Sequence, residues 1–371
     1  MASNEETIFD WYDFLKHDLK PDKVNINYIR PPSNDPKELE FDHKKYAQLS
    51  HMILEDVKSS ALKNNYGGDG GFFKAAVDIY MHDLIDKTYQ SPYPSAGVDV
   101  LMERFRYINE IENVDFLFPN FDAELFNFIK LEERFKAELG IKMLLPTSEQ
   151  FEARHKTELY EFGQKYDIKV PITKSITNTF EIAEIAQEIG FPLVVKGKFY
   201  DAKIAYNLDQ AVQHFQKISA QWGLPILIQQ FVHGAEVNVC GVGDGNGELL
   251  GAVPMRKLYI TDKGKAWSGI TIADDDLIEM NRQMVKSTKW RGPFELEVIK
   301  NNNDEFYLIE INPRFPAWCY LTVGAGQNQI ESAVNFALGN KVEPYTTYEV
   351  GKMFVRYSYD MIVGIEEFEK I

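Results

Sequence analysis

The feature that most constrains this chain is a stretch of alternating residues between positions 292 and 314. Acidic and apolar residues alternate in FELEVI and again in FYLIEIN, after the turn-forming run Asn-Asn-Asn-Asp. Two alternating runs joined by such a turn predict a β-hairpin. Because every second side chain of a strand shares one face, Glu295 and Glu297 point the same way on the first strand. Glu310 and Asn312 do so on the second.

The length of the turn decides which acidic residues lie opposite each other. A two-residue turn at Asn303–Asp304 sets Glu297 opposite Glu310, whereas a four-residue turn sets Glu295 there and makes Glu297 a diagonal neighbour. Either register crowds carboxylates onto one face, where they repel one another unless a cation lies between them. Mg²⁺ suits such a face because it binds carboxylate oxygens together with substrate phosphates. A solvated acidic hairpin is the alternative, although the strand around Glu310 is too apolar for one.

Two cations stand in positions that favour contact with an anion. Pro313 stops the second strand and Arg314 follows it directly, so its planar fork is predicted to hold an anionic substrate. Lys196 interrupts the apolar strand predicted for residues 191–198. A lysine inside such a strand must reach water or meet an anion, and we favour the anion.

Length and composition set the class of protein. The 371 residues allow two or three domains with a large core, and an apolar content of 44% indicates a folded chain. The net charge of −16 argues against nucleic acid or an anionic membrane as a partner. With no apolar run of membrane-spanning length and an acidic start, we expect a soluble, cytoplasmic protein. Cys240 and Cys319 are expected to be reduced and buried.

The pattern of elements predicts an α/β (α+β) protein whose character changes around residues 146–150. In the first part, an apolar strand at 114–119 precedes a helix at 122–139. Asn120, Asp122 and Glu124 then fall at the strand's carboxyl end as substrate contacts, with helix capping the favoured explanation for Asp122.

Further elements follow after this change of character. A charged helix is predicted for 154–166, and a hairpin for 236–254 with its turn at Asp244–Gly247. The glycine-bearing stretches 66–73 and 263–269, with Trp267 and Trp318, are predicted to form a lid and walls over the site. Residues 1–100 match nothing that can be named.

With these residues in view, the chain from about Thr147 to Tyr359 resembles the ATP-grasp superfamily. Its nearest likeness is the branch of carbamoyl-phosphate-synthase and biotin-carboxylase domains and of carboxylate–amine ligases. The marks occur in the expected order: RHKTEL, PLVVKGK, QQFVHGAE, the acid at 297 and IEINPR. The resemblance implies an N-terminal α/β domain over residues 1–145, of the kind that precedes ATP-grasp domains. A two-lobed ATP-grasp domain would follow it, with a small lobe over 146–225 and a large lobe over 226–371.

The resemblance also implies roles for individual residues. Lys156 and Lys196 match the lysines that reach the nucleotide phosphates. The hinge that holds the adenine edge matches Gln229, Gln230, Phe231 and Val232, and Glu236 matches the acid that binds the ribose. The Mg²⁺ ligands match Glu297, Glu310 and Asn312, with Mn²⁺ as a substitute. Arg314 matches the arginine that holds the acceptor carboxylate, and Arg256 or Lys257 falls where a further basic contact is common. Arg314, Lys196 and Arg256 are expected to act in catalysis, and Lys257 in nucleotide binding.

Two departures from the family pattern qualify these roles. Gln229 stands where many members have glutamate. The residues after Lys196 lack the glycine-rich loop that usually covers the phosphates, so Lys198, Lys203 or the 263–269 loop would have to replace it.

The implied reaction joins a small carboxylate, such as an amino acid or a peptide, to an amine through an acyl-phosphate, with ATP converted to ADP. Phosphorylation of bicarbonate or carbamate, and nucleotide binding without catalysis, are the alternatives. A homodimer is compatible with such folds.

Overall fold

The computed structural model describes Tyr89 and residues 91–198, 201–260 and 266–356. It has mixed helices and antiparallel sheets, which confirms the predicted α/β class. Predictions for residues 1–88, including the glycine-rich stretch at 66–73, lie outside the described residues. The same holds for 263–265 and for the tail beyond 356, so the N-terminal domain stays a prediction.

Residues 91–153 form a small helical layer. A 3₁₀ turn at Pro94–Ala96 leads into α1 (Val98–Glu112), followed by α2 (Asp122–Arg134) with a π-helical turn at Phe135–Leu139, and by α3 (Ser148–Ala153). Leu125, Phe128 and Phe135 bury their side chains at its centre. Instead of the strand predicted at 114–119, the described residues show a single parallel bridge, from Phe116 to Lys142.

The helix predicted at 154–166 is interrupted. Helix α3 ends at Ala153 and α4 (Leu159–Tyr166) begins five residues after Arg154, whose guanidinium stacks on Phe151 at 4.2 Å. Leu159 and Phe162 of α4 pack into the core of the larger sheet. Lys156 therefore lies in the connection between the helices.

Within the described ranges, the first sheet has four antiparallel strands in the order β1-β4-β2-β3. They are β1 (Thr173–Ile176), β2 (Leu193–Gly197), β3 (Ala202–Ala205), which was not predicted, and β4 (Ile226–Gln230). Helices α5 (Glu181–Ile189) and α6 (Leu208–Trp222) cover one face, where Leu193, Val195 and Ile228 are buried. Since side chains alternate, Lys196 lies on the opposite face.

The second sheet has six antiparallel strands in the part of the chain that the structure describes, in the order β10-β7-β6-β5-β8-β9. They are β5 (Gly234–Asp244), β6 (Leu249–Ile260), β7 (Ala266–Thr271), β8 (Arg291–Asn301), β9 (Phe306–Asn312) and β10 (Met353–Val355). Helix α7 (Asp275–Thr288) and α4 cover its apolar face. Two further helices, α8 (Tyr320–Gly324) and α9 (Gln329–Leu338), follow β9. The stretch predicted as the loop 263–269 is strand β7 from Ala266 onward.

The β8–β9 hairpin has a turn that differs from both predicted lengths. Asn301 donates its N–H to Glu305 O at 2.9 Å, so the turn has three residues, with Asp304 in the left-handed conformation at φ 60°. A β-bulge between Glu297 and Val298 then shifts the register by one residue. The result is the pairing that the two-residue turn predicts, with Glu297 opposite Glu310.

The chain passes from the first sheet to the second over residues 231–233. Strand β4 lies in the first sheet and β5 begins the second at Gly234. The boundary predicted between 225 and 226 therefore falls before β4, whereas the change of sheet comes after it. An added Cβ at Gly234 would lie 2.2 Å from Lys300 O, so only glycine allows this close start against β8.

Candidate functional site

The polar face of the second sheet carries the candidate site. Asn238 lies opposite Glu297, and Glu236 two residues earlier shares its face, because directly opposed antiparallel residues point the same way. Lys257 on β6 reaches this face, since its ammonium donates to Glu236 Oε1 at 2.5 Å. Three neighbouring strands thus bring an acid, an amide and a lysine together.

Glu295 is the buried anchor of this face. Its carboxylate accepts hydrogen bonds from Trp318 Nε1 at 2.7 Å, Asn238 Nδ2 at 3.0 Å and Asn312 Nδ2 at 3.1 Å. Burial raises the pKa of Glu295, and the hydrogen bond from Trp318 opposes that rise. Trp318 was predicted to wall the cavity, but its indole N–H is bonded to this carboxylate instead.

The predicted metal ligands lie side by side. Glu297 and Glu310 are directly opposed, and Asn312 lies opposite Glu295. Asn312 Nδ2 also approaches Glu297 Oε1 at 3.5 Å, and no described residue donates to Asn312 Oδ1. Burial and the neighbouring Glu295 carboxylate raise the pKa of Glu297 to about 8. Two opposed carboxylates and one open amide oxygen are a donor set that fits Mg²⁺.

A larger metal cluster is absent from the described part of the chain. No group of three or more histidine, cysteine, aspartate or glutamate side chains there is arranged to hold an ion. The hairpin offers two carboxylates and an amide oxygen. Mg²⁺ is usually bound by one or two protein carboxylates when substrate phosphates complete its coordination.

Three lysines from separate elements surround these acids. Lys156 Nζ lies 3.5 Å from Glu310 Oε2, and Lys257 Nζ lies 3.5 Å from Glu297 Oε2. Burial alone would lower the pKa of Lys257, but Glu297 and Glu236 outweigh it and the pKa rises. Both lysines therefore act as counter-charges to the carboxylates.

Lys196 differs from the other two lysines. Burial and the nearby Lys156 ammonium lower its pKa to about 8, against the attraction of Glu310. No ion pair or hydrogen bond to a described residue satisfies its ammonium. A cation that is desolvated and unpaired beside other charged groups fits an anionic ligand.

Two of the predicted basic contacts lie away from the cluster. Arg256 neighbours Lys257 on the same strand, so it points to the other face, where it is exposed. The register therefore favours Lys257 over Arg256 as the basic contact of this face, and the catalytic role that the resemblance implies for Arg256 has no support in it. Lys203 lies opposite Val195, on the helix-covered side of the first sheet, and pairs with Asp201 at 3.9 Å. It does not replace the missing glycine-rich loop.

A cavity of about 360 Å³ lies beside the linker between the sheets. It is lined on one side by Gln230, Phe231, Val232 and His233, and on the other by Asn301, Asn302, Asn303 and Tyr307. Gln229 does not line it, because its amide nitrogen donates to Thr173 Oγ1 at 2.8 Å and its side chain is buried. The asparagine turn was predicted only as a turn, so its place beside the linker is new.

Arg314 lies at the opposite end of the site from this cavity. Its Nε donates to Asp122 Oδ1 at 3.0 Å, and Nη1 donates to Phe315 O at 3.3 Å. Asp122 does not cap α2, since Phe121 is the N-cap residue and no side chain caps the helix. The favoured explanation for Asp122 is therefore wrong, and its pairing with Arg314 is the observed contact.

Comparisons with known proteins agree with this architecture. Residues 224–358 match the family model described as "ATP-grasp in the biosynthetic pathway with Ter operon". The carbamoyl phosphate synthase large chain of Agathobacter rectalis is 24% identical over 307 residues, covering 76% of this chain and 28% of that protein. The chain thus spans less than a third of that relative's length.

Two solved structures share the fold. Biotin carboxylase from Campylobacter jejuni has a TM-score of 0.57 at 16% identity, covering 69% of this chain and 60% of that chain. N5-carboxyaminoimidazole synthetase from Staphylococcus aureus has a TM-score of 0.55 at 14% identity, covering 72% and 70%. Residues 224–358 therefore match an ATP-grasp family model, and the chain shares its fold with these two structures. Within its described part, no helix is long and apolar enough to cross a bilayer.

Proposed function

We propose that this chain is an ATP- and Mg²⁺-dependent ligase that joins a small carboxylate to an amine through an acyl-phosphate. One observation carries the proposal. Lysines of both lobes converge on the two opposed acids and the amide of the β8–β9 hairpin, as a metal–triphosphate complex requires. Mn²⁺ as a substitute for Mg²⁺ and a homodimer remain predictions.

The nucleotide would lie along the polar face of the second sheet. The base would occupy the cavity beside residues 230–233, and Glu236 would accept the ribose hydroxyls next to it. Lys196 and Lys156 would then contact the phosphates. Glu297, Glu310 and Asn312 would hold Mg²⁺, which neutralises charge on the phosphate oxygens when bound.

The chemistry would proceed in two transfers. A carboxylate oxygen of the substrate attacks the γ-phosphorus, the β–γ P–O bond breaks, and its electron pair leaves on ADP. The amine nitrogen then attacks the acyl carbon, phosphate leaves with the C–O electron pair, and the nitrogen loses a proton. The chain's own part is to align Arg314 with the carboxylate and to offset the charge that develops on the phosphates.

Activation of bicarbonate is the second candidate. The similarity to carbamoyl phosphate synthase large chains favours it, as does the fold shared with biotin carboxylase. In that case bicarbonate, rather than an organic acid, would be the phosphate acceptor.

Hydroxylamine provides a test that does not need the natural amine, because it converts acyl-phosphates to coloured hydroxamates. The protein is mixed with ATP, Mg²⁺, hydroxylamine and a panel of amino acids and small carboxylic acids. Equal amounts of ADP and hydroxamate with at least one acid support the proposal. ADP formation that needs only bicarbonate supports the second candidate, and nucleotide binding without ADP formation overturns both.

A further inference from the structure

The end of the site around Arg314 contains an anion that the proposed reaction does not use. Asp122 pairs with Arg314 across 192 sequence positions, and the two side chains keep 38% and 20% of their area exposed. The pair therefore lies at an accessible part of the site. A guanidinium and a carboxylate side by side form a surface with both signs of charge.

A third polar group, Asn120, lies two residues before Asp122. Phe121 has extended backbone angles, φ −115° and ψ 122°, so Asn120 and Asp122 on either side of it point the same way. Phe121 is 39% exposed and points the other way. Asn120 Oδ1 is fully buried, yet it accepts no hydrogen bond from the residues that the structure describes. A buried acceptor without a donor costs free energy, and a ligand that supplies an N–H group removes that cost.

The elements that carry these groups are fixed by packing on either side. Phe118 contacts Phe315 edge-on at 5.6 Å and Phe116 at 4.5 Å, which holds the 116–122 segment against the end of the hairpin. The cation and its two acceptors thus come from two segments that pack against each other rather than from a mobile surface.

Building on the proposed function, we propose that Asn120, Asp122 and Arg314 form an acceptor subsite for a zwitterion, so that the activated carboxylate belongs to an amino acid with a free amine. The substrate carboxylate replaces Asp122 on the Arg314 guanidinium. Its ammonium then donates to the Asp122 carboxylate and to Asn120 Oδ1. Each charge of the ligand meets the opposite charge, whereas an acid without the amine would leave Asp122 without its arginine and without a replacement.

The test compares matched acids in the hydroxamate assay. Each amino acid of the panel is set against its N-acetyl derivative and against the acid that lacks the amine, such as propionate for alanine. We expect kcat/KM for the free amino acid to exceed both analogues by at least about tenfold. Equal turnover of the analogues overturns the zwitterion subsite while leaving the ligase proposal intact. Failure of every acid overturns the ligase proposal itself.

Asp122→Asn separates substrate selection from simple support of Arg314. The change keeps the shape but removes the charge, so we expect it to reduce the preference for the free amine at least about tenfold, with ADP affinity unchanged. Equal losses for the amino acid and its analogues would mean that Asp122 only positions Arg314, which overturns the inference. The control is Asp99→Asn on α1, which removes an exposed partner of Arg134. The wild-type comparison decides the question even if Asp122→Asn folds poorly.

Discussion

The two sheets present opposite charges to the space between them. The first sheet offers Lys196, which has no partner among the described residues and a pKa lowered to about 8. The second offers Glu236, Glu297 and Glu310, with Lys257 held among them. This difference orients the ligand, because phosphates are attracted to the first sheet and a divalent cation to the second.

The carboxylate side of this comparison is tested by Glu310→Ala. Loss of one of the two opposed acids removes a ligand proposed for Mg²⁺, the ion that would offset the charge on the phosphates. ADP formation should therefore fall by about 10²-fold or more. The fold should persist, since the change also relieves repulsion with Glu297. Steady-state ADP formation and thermal unfolding measure the two effects. Glu343→Ala, which removes an exposed partner of Lys341, is the control, and wild-type turnover in Glu310→Ala would refute the metal assignment.

Lys196→Met tests the cationic side. We expect ADP affinity to fall by roughly tenfold or more, because a desolvated charge facing phosphate is lost. Thermal stability should rise slightly, since the lowered pKa means that the folded protein disfavours the charged lysine at neutral pH. Calorimetric titration with ADP and thermal unfolding report these changes. Lys174→Met, on the helix-covered face of the same sheet, is the control. It should leave the affinity for ADP unchanged and should not raise thermal stability.

Lys257→Met should change stability in the opposite direction. The raised pKa of Lys257 means that its charge stabilises the fold at any pH below the usual lysine value, so its loss should cost about 1–3 kcal/mol. Urea unfolding at neutral pH measures this cost. Lys352→Met, which removes an exposed partner of Glu349, should cost far less. If both lysine variants of the site changed stability in the same direction, the contrast between the sheets would fail.

The alternation of residues in the hairpin limited the site's central pairing to two registers. Glu297 faces Glu310 as one of the two registers required, although the turn and the bulge that produce this register were not predictable from composition. Lys196 was likewise identified because a charge inside an apolar strand is unusual. Local patterns thus predicted what local geometry determines.

Features that depend on distant contacts were missed or misread. Choosing Lys257 over Arg256 requires the β5–β6 register, which fixes the face each side chain joins. The Asp122–Arg314 pair joins segments far apart in sequence, so a local sequence pattern does not predict it. Strand β3 was missed because Ala202–Ala205 is short and mostly exposed at a sheet edge.

The smallest expected effect concerns the anchor beneath the ligands. Glu295→Gln keeps the shape of the side chain but replaces one carboxylate oxygen with an amide NH₂ group. That group cannot accept the hydrogen bonds that the carboxylate accepts from Trp318, Asn238 and Asn312. The Mg²⁺ concentration for half-maximal ADP formation should rise a few-fold, because Asn312 loses the group that orients its amide. Stability should fall by about 1–3 kcal/mol. An unchanged Mg²⁺ requirement would mean that Asn312 is oriented without Glu295.

The attachment of the four-stranded sheet limits how it can move. Its entry and exit strands are neighbours, with Thr173 opposite Gln229, and Ile172 and Gln230 bonded to each other just beyond. Two adjacent connections would restrict any movement of this sheet to rotation about a single axis, without twisting or sliding. Each swing would therefore return Lys196 to the same height above the acids, and the site would reassemble in one geometry at every closure.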